Sequence, residues 1–181
     1  MKMKNETKWS IDPAHTEISF KVKHLMISTV SGVFREFGAT VNTNADDFVS
    51  AKIDFWMNPS SVDTNEEKRD GHLKSPDFFD VGKFEKITFI SDSFEKSGES
   101  NFFKLSGFLT IKGITKKILL DVEFGGIIKD PYGNEKAGFS VNGKINRKDW
   151  GLNWNTAIDA GGVMVSDEVR INCEVELLKQ K

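Results

Sequence analysis

At 181 residues the chain has the length of one domain, 1–181, and its 38% hydrophobic and 29% charged residues set it apart from disordered polyelectrolytes. A net charge of −2, with basic residues scattered along the chain, argues against a nucleic-acid partner, which would need a clustered cationic surface. No stretch reaches the roughly 18 apolar residues that a membrane helix requires, so no integral membrane segment is expected.

The N-terminal stretch Met1–Lys8 carries no apolar run of signal-peptide length. This gives the expectation of a cytoplasmic protein, or a periplasmic one if a leader has been removed. From Trp9 onward the dominant signal is a period of two, which sends alternate side chains to opposite faces of a sheet. Ile18, Phe20 and Val22 alternate with Ser19, Lys21 and Lys23; Ala51, Ile53, Phe55 and Met57 alternate with Lys52, Asp54 and Trp56. The pattern returns at Phe103 to Ile111, at Ile118 to Phe124, at Phe139 to Ile145 and around Cys173.

Segments near 9–12, 16–24, 30–43, 50–57, 86–96, 102–112, 114–128, 136–147 and 165–178 therefore predict eight or nine strands. Turn signals at Ser97-Gly98, Lys112-Gly113 and Asp130-Pro131-Tyr132-Gly133 make the connections short and the sheet an antiparallel meander. Gly32, Gly107 and Gly143 fall inside strand patterns, where they permit bends or close approach. The exception to the strand pattern is 58–85. Asp63 followed by Glu66 predicts a helix start, with the helix running to about Leu73, and Ser75-Pro76 predicts a second start just before Phe78 and Phe79. So long a connection is expected to be a lid or a covering flap.

Chemical motifs are sparse. Gly138 to Lys144 has the outline of a phosphate-binding loop, but Ile145 stands where a hydroxyl residue is needed, and the alternation there marks a strand. His15, His24 and His72 lie in three separate segments without a metal-ligand spacing, so no metal and no cofactor are expected. No serine has a nucleophile-elbow context, and no carboxylate pair stands out, so no catalytic residue is assigned. The lone Cys173 shares the parity of Val169, Ile171, Val175 and Leu177, which makes it an inward-facing thiol. The aromatic content is more telling, with 15 Phe and 4 Trp against 1 Tyr, because phenylalanine fills apolar space without asking for a hydrogen bond. A solid core and a greasy pocket both satisfy that bias.

An ordered set of short motifs adds a resemblance. It begins with Trp9-Ser10-Ile11-Asp12-Pro13-Ala14-His15-Thr16, Phe20-Lys21-Val22-Lys23-His24-Leu25-Met26, Gly32-Val33-Phe34 and Arg69-Asp70-Gly71-His72-Leu73. It continues with Ser75-Pro76-Asp77-Phe78-Phe79-Asp80-Val81, Gly107-Phe108-Leu109-Thr110 running to Gly113-Ile114-Thr115-Lys116, and Arg147-Lys148-Asp149-Trp150-Gly151. Together, over roughly Trp9 to Leu178, these resemble the YceI-like polyisoprenoid-binding family. The resemblance implies an all-β fold: an antiparallel, eight-stranded, lipocalin-like barrel with a short helical insertion between strands. It also implies a noncatalytic carrier or reservoir whose interior accepts a long-chain isoprenoid such as a polyprenyl phosphate or a quinone tail. An enzyme acting on a hydrophobic substrate and a filled, stress-associated domain are the alternatives, and a homodimer is compatible with all three.

On that reading strand parity selects Phe20, Val22, Ile53, Phe55, Met57, Phe89, Leu109 and Phe139 as ligand-lining residues, with Phe78 and Phe79 at one end. His24 and Arg147 are the candidates for a polar head group, since a cation or donor at a mouth can bind phosphate or carbonyl oxygen. The competing role for Arg147 is an ion pair with Asp149 or another carboxylate. Trp150 and Trp154 are expected to line a wall or cover the barrel from outside.

Overall fold

A computed structural model describes residues 5–98, 101–156 and 164–181. Its strands are β1 (Glu6–Ile11), β2 (Glu17–His24), β3 (Ser28–Phe34), β4 (Phe37–Asn44), β5 (Asp47–Met57), β6 (Val62–Asp63), β7 (Ile87–Lys96), β8 (Phe102–Ile111), β9 (Ile114–Lys129), β10 (Glu135–Asn146) and β11 (Val165–Lys179). One helix, α1 (Glu67–Lys74), lies between β6 and β7. The antiparallel order β1-β4-β5-β7-β8-β9-β10-β11 closes on itself because β1 bonds to both β4 and β11. The closed ring has the eight strands that the family resemblance implies.

The remaining strands lengthen the wall at one end. β1 and β2 lie end to end along a single edge of β11, β1 against Leu177–Lys179 and β2 against Val165–Glu174. β3 continues outward from β2, and β6 pairs with β3 through Val33 with Asp63 and Phe34 with Val62. This doubling corrects the predicted strand 30–43, which is two strands. At Arg35–Glu36 the chain leaves β2 and takes up β1, and the corner is held from outside: the Arg35 amide donates to the Ser61 carbonyl (3.2 Å) and the Glu36 amide to Ser61 Oγ (3.0 Å). The inward apolar positions switch there from even numbers, Gly32 and Phe34, to odd ones, Phe37, Ala39 and Val41, a change of parity that a single strand through 30–43 does not accommodate.

The helix is also displaced from its predicted start. Glu66, not Asp63, is the N-cap, accepting from the amides of Lys68 and Arg69, while Asp63 turns back onto the Asn65 amide (2.9 Å). Both carboxylates cap amides, but the one nearer the first helical turn wins. Ser75-Pro76 starts no second helix; the Ser75 carbonyl accepts from Phe78 and Asp80 (3.0 Å each), which makes a compact turn. The short connection after β8 is as predicted, with Lys112 and Gly113 both in the left-handed region that a two-residue hairpin requires. Gly32 and Gly107 are seats rather than bends: a Cβ at either would overlap the ring of Phe20 or of Phe89.

Candidate functional site

Inside the ring lies a cavity of about 560 Å³, a volume typical of small-molecule sites. Inward-facing residues such as Phe20, Ile53, Phe55, Val141, Ile171 and Val175 are only half-buried because they border this space. The strand parity of the sequence thus builds a wall around a void and not a plug.

The two ends of the void differ. At the end formed by the start of β1 and β5 and the close of β11, aromatic rings fill the barrel. Phe48 sits against Trp9 (5.1 Å between centroids), Phe124 (5.4 Å) and Phe139 (4.9 Å), and Phe94 stacks on Phe103 (4.7 Å). Trp9 is 1% exposed, and its indole N–H donates to Thr43 Oγ1 (2.9 Å), so even the polar atoms of this seal are satisfied.

At the other end the stretch from β6 to β7 arches over the opening. Phe79 meets Phe34 (5.8 Å), and Trp154 is bracketed by His72 (4.6 Å) and Phe78 (5.6 Å). The His72 ring is fixed in turn by Asp77, with Nε2 to Oδ2 at 2.8 Å. Helix α1 presents no apolar stripe, which suits an element lying over a hole rather than on a core. Among the described lining residues the exposed ones are Lys23 on β2 and Lys68 and Arg69 on α1. They mark the mouth, and no carboxylate among the described residues shares the wall with them.

All twelve residues selected from the sequence border this cavity: Phe20, Val22, His24, Ile53, Phe55, Met57, Phe78, Phe79, Phe89, Leu109, Phe139 and Arg147. His24 reaches it at the end of β2, opposite Val165 and Ser28. Arg147 needs correction as a head-group residue. It is 3% exposed, and its guanidinium donates to the carbonyls of Ser166 (2.9 Å), Leu152 (2.5 Å), Trp154 (2.8 Å) and Val165 (3.3 Å). Asp167, not Asp149, is its carboxylate neighbour, at 3.8 Å. With its N–H groups so committed, Arg147 staples the loop after β10 to the start of β11. Burial lowers its pKa and Asp167 offsets part of that. Trp154 lines the cavity, whereas Trp150 stands off it with its indole on the Leu109 carbonyl (2.9 Å).

Sequence reasoning did not select Lys23, Lys68, Arg69 or His72. Lys23 carries outward parity, and α1 offers no periodic signal, so only the fold brings these cations to one opening. Arg69 is additionally braced on Thr64, through its Oγ1 (2.7 Å) and its carbonyl (2.6 Å). Cys173 faces the cavity, and burial pushes its thiol up to about 11.

A second polar cluster lies outside the cavity, at the seam where β1 closes on β11. Asp12 and Glu176 flank His15 at 2.9 and 3.5 Å, the grouping of a candidate metal site. Lys136 already occupies the space between the two acids, 3.3 Å from Asp12 and 3.4 Å from Glu176, so the cluster is internally neutralised. The hydrogen bond to His15 leads in holding Asp12 below its ordinary value. Desolvation opposes the charge on Lys136, yet its bonds to Asp12 and Glu176 hold it above its own.

A family model described as the YceI-like domain matches residues 9–177. The UPF0312 protein SAS2572 of Staphylococcus aureus (strain MSSA476) is 42% identical over 171 residues, covering 94% of this chain and 96% of that protein. Among solved structures, the Campylobacter jejuni YCEI protein, which crystallizes with large solvent channels, superposes with a TM-score of 0.76 at 38% identity over 94% of this chain and 96% of that one. A polyisoprenoid binding domain from Saccharophagus degradans, implicated in plant cell wall breakdown, shares the fold with a TM-score of 0.66 at 14% identity, covering 93% and 97% of the two chains. The closed eight-stranded ring, the short helix over its mouth and the match across nearly the whole length agree: the chain belongs to the YceI-like family.

Proposed function

We propose that this protein binds and carries a long-chain isoprenoid lipid, with the hydrocarbon in the barrel and the polar end at the mouth. The observation that carries the reading is an apolar cavity whose exposed lining residues, among those described, are the cations Lys23, Lys68 and Arg69. The Saccharophagus degradans domain, which shares the fold and is a polyisoprenoid binding domain, supports the same class of ligand.

The energetics favour a long tail. Each buried methylene contributes roughly 0.8 kcal/mol, so ten contribute about 8 kcal/mol, near micromolar affinity before ordering costs. Such a wall discriminates little between hydrocarbon chains, and selectivity therefore rests on the mouth. Clustered cations select a phosphate end over a neutral quinone ring, because charge-assisted hydrogen bonds to an anion are the stronger kind. A polyprenyl phosphate is thus the preferred ligand, held without chemical change.

Native mass spectrometry of gently purified protein, followed by organic extraction, is expected to recover a long-chain isoprenoid. Empty protein is expected to bind added polyprenyl phosphate more tightly than an isoprenoid quinone of equal chain length. Repeated recovery of empty protein that takes up neither compound would overturn the proposal.

A further inference from the structure

The turn joining β2 to β3 is built against local preference. Leu25 and Met26 have φ of 52° and 61°, and the Ile27 amide donates to the His24 carbonyl (3.2 Å), which makes a turn of the kind that Asn-Gly ordinarily supplies. Left-handed backbone in large apolar residues is unfavourable, and such outliers persist where the surroundings or the function demand them. The turn projects Met26 and Ile27 into solvent at 61% and 84% exposure. It does so directly beyond Lys23 and His24, both on the cavity wall.

Resting on the isoprenoid-binding reading, we infer that this hairpin tip docks the cavity mouth onto an anionic lipid bilayer, with Met26 and Ile27 entering the interface and Lys23, Lys68 and Arg69 facing the head groups. Apolar side chains beside cations are the combination that holds a peripheral protein to an anionic leaflet. The arrangement also meets the cargo's own requirement: a long isoprenoid resides in a bilayer and leaves it without crossing water only if the mouth reaches the surface. A second exposed apolar pair, Ile128 and Tyr132, lies by the β9–β10 turn at the sealed end, far from the opening, and provides an internal control.

The test uses the full chain with vesicles of phosphatidylcholine alone or with roughly one-third phosphatidylglycerol, carrying a fluorescent polyprenyl phosphate. The wild type is expected to sediment with the anionic vesicles, to lose that association in high salt, and to extract the lipid. Met26→Asp with Ile27→Asp places acidic residues at exposed positions, and Asp tolerates the left-handed backbone, so folding is unaffected. The pair is expected to weaken association and slow extraction by at least about tenfold, as lost burial of two such side chains implies. Affinity for the same lipid presented in detergent is expected to stay within about twofold, and Ile128→Asp with Tyr132→Asp to match the wild type. Wild-type association and extraction by the tip variant would overturn the inference, as would indifference of the wild type to anionic vesicles. Failure to bind the lipid from detergent strikes instead at the isoprenoid reading, so the two failures are distinguishable.

Discussion

The two ends of this barrel are made from the same kinds of residue and have opposite properties. At the sealed end Trp9, Phe48, Phe124 and Phe139 pack ring against ring, and the indole of Trp9 is satisfied by Thr43. At the mouth Phe78 and Phe79 are carried on an arch with a polar helix, Trp154 reaches them from the loop after β10, and all three face open volume. Aromatic content alone therefore does not say whether a β barrel is solid. What decides is whether the rings come from paired strands that close on one another or from a connection that bridges a gap.

The largest expected effect tests that difference directly. Phe48→Ala at the sealed end is expected to cost about 3–5 kcal/mol, because the fixed strands around it cannot collapse into the space. Phe79→Ala on the arch is expected to cost less than about half as much, since its ring is only half-buried, whereas Phe48 is 6% exposed among the rings of Trp9, Phe124 and Phe139. Denaturant unfolding of the two variants settles the ranking, and equal losses would mean that the ends are packed alike.

Cys173 reports on the space between. A thiol at about 11 is ionised to roughly one part in a thousand at pH 8, so alkylation is expected to run on the order of two-hundredfold slower than for an unperturbed thiol. Bound isoprenoid is expected to slow it further. Wild-type protein reacting at the rate of a free thiol in a stopped-flow assay would place Cys173 outside the cavity.

Filling the void should separate binding from stability. Val141 and Cys173 face each other across β10 and β11 on the cavity wall. Val141→Trp adds bulk where a solid core would be strained by about 1–3 kcal/mol. In a hollow barrel it is expected to leave the melting temperature unchanged or raised, while weakening isoprenoid binding at least about a hundredfold. Calorimetric titration and thermal melts together decide, and a destabilised variant that still binds would contradict the hollow interior.

How much of this was legible before the fold was known follows from where the information is stored. Strand parity is local, so Phe20, Val22, Ile53, Phe55 and Leu109 could be placed on one face from the sequence. The corner at Arg35–Glu36 is set by a change of partner from β2 to β1, and its local trace is only the switch of apolar parity from Gly32 and Phe34 to Phe37, Ala39 and Val41. For Arg147 the sequence leaves a head-group cation and an ion pair open, because the carbonyls of Leu152, Trp154, Val165 and Ser166 that take up its N–H groups are brought to it only by the fold. The mouth was the least readable part. Lys23 and Lys68 are ordinary surface lysines in sequence and become a site only through topology.

Those lysines give the next effect in size. Lys23→Glu with Lys68→Glu is expected to weaken polyprenyl phosphate binding about tenfold, while a neutral prenol of the same length binds within about twofold. An equal loss for both ligands would show that the mouth shapes the opening rather than reads charge.

The smallest effect sharpens the contrast from the other side, at the seam that closes the ring. β1 meets β11 through three residue pairs, Trp9 with Lys179, Ser10 with Leu178 and Ile11 with Leu177, and the ion cluster of Asp12, Glu176 and Lys136 lies beside them. Asp12 has a lowered pKa in the fold, led by its bond to His15, so its contribution is complete above the unfolded value near 3.9 and is lost as pH falls through the folded value. Lys136 has a raised pKa, its bonds to Asp12 and Glu176 outweighing desolvation, so its contribution is complete below about 10.4 and fades as pH rises through the folded value. Asp12 and Lys136 therefore both keep their charge across the neutral range. Asp12→Asn retains an acceptor for the Ala14 amide but removes the charge, and is expected to lower the melting temperature by about 2–4 °C at pH 7. That difference should shrink as pH falls through the lowered folded-state value of Asp12, where the wild-type carboxyl becomes protonated as well. Isoprenoid affinity should not move, because the seam belongs to the half that holds the barrel shut and not to the half that opens it. A variant that melts with the wild type at pH 7 but loses ligand would reverse that assignment of the two halves.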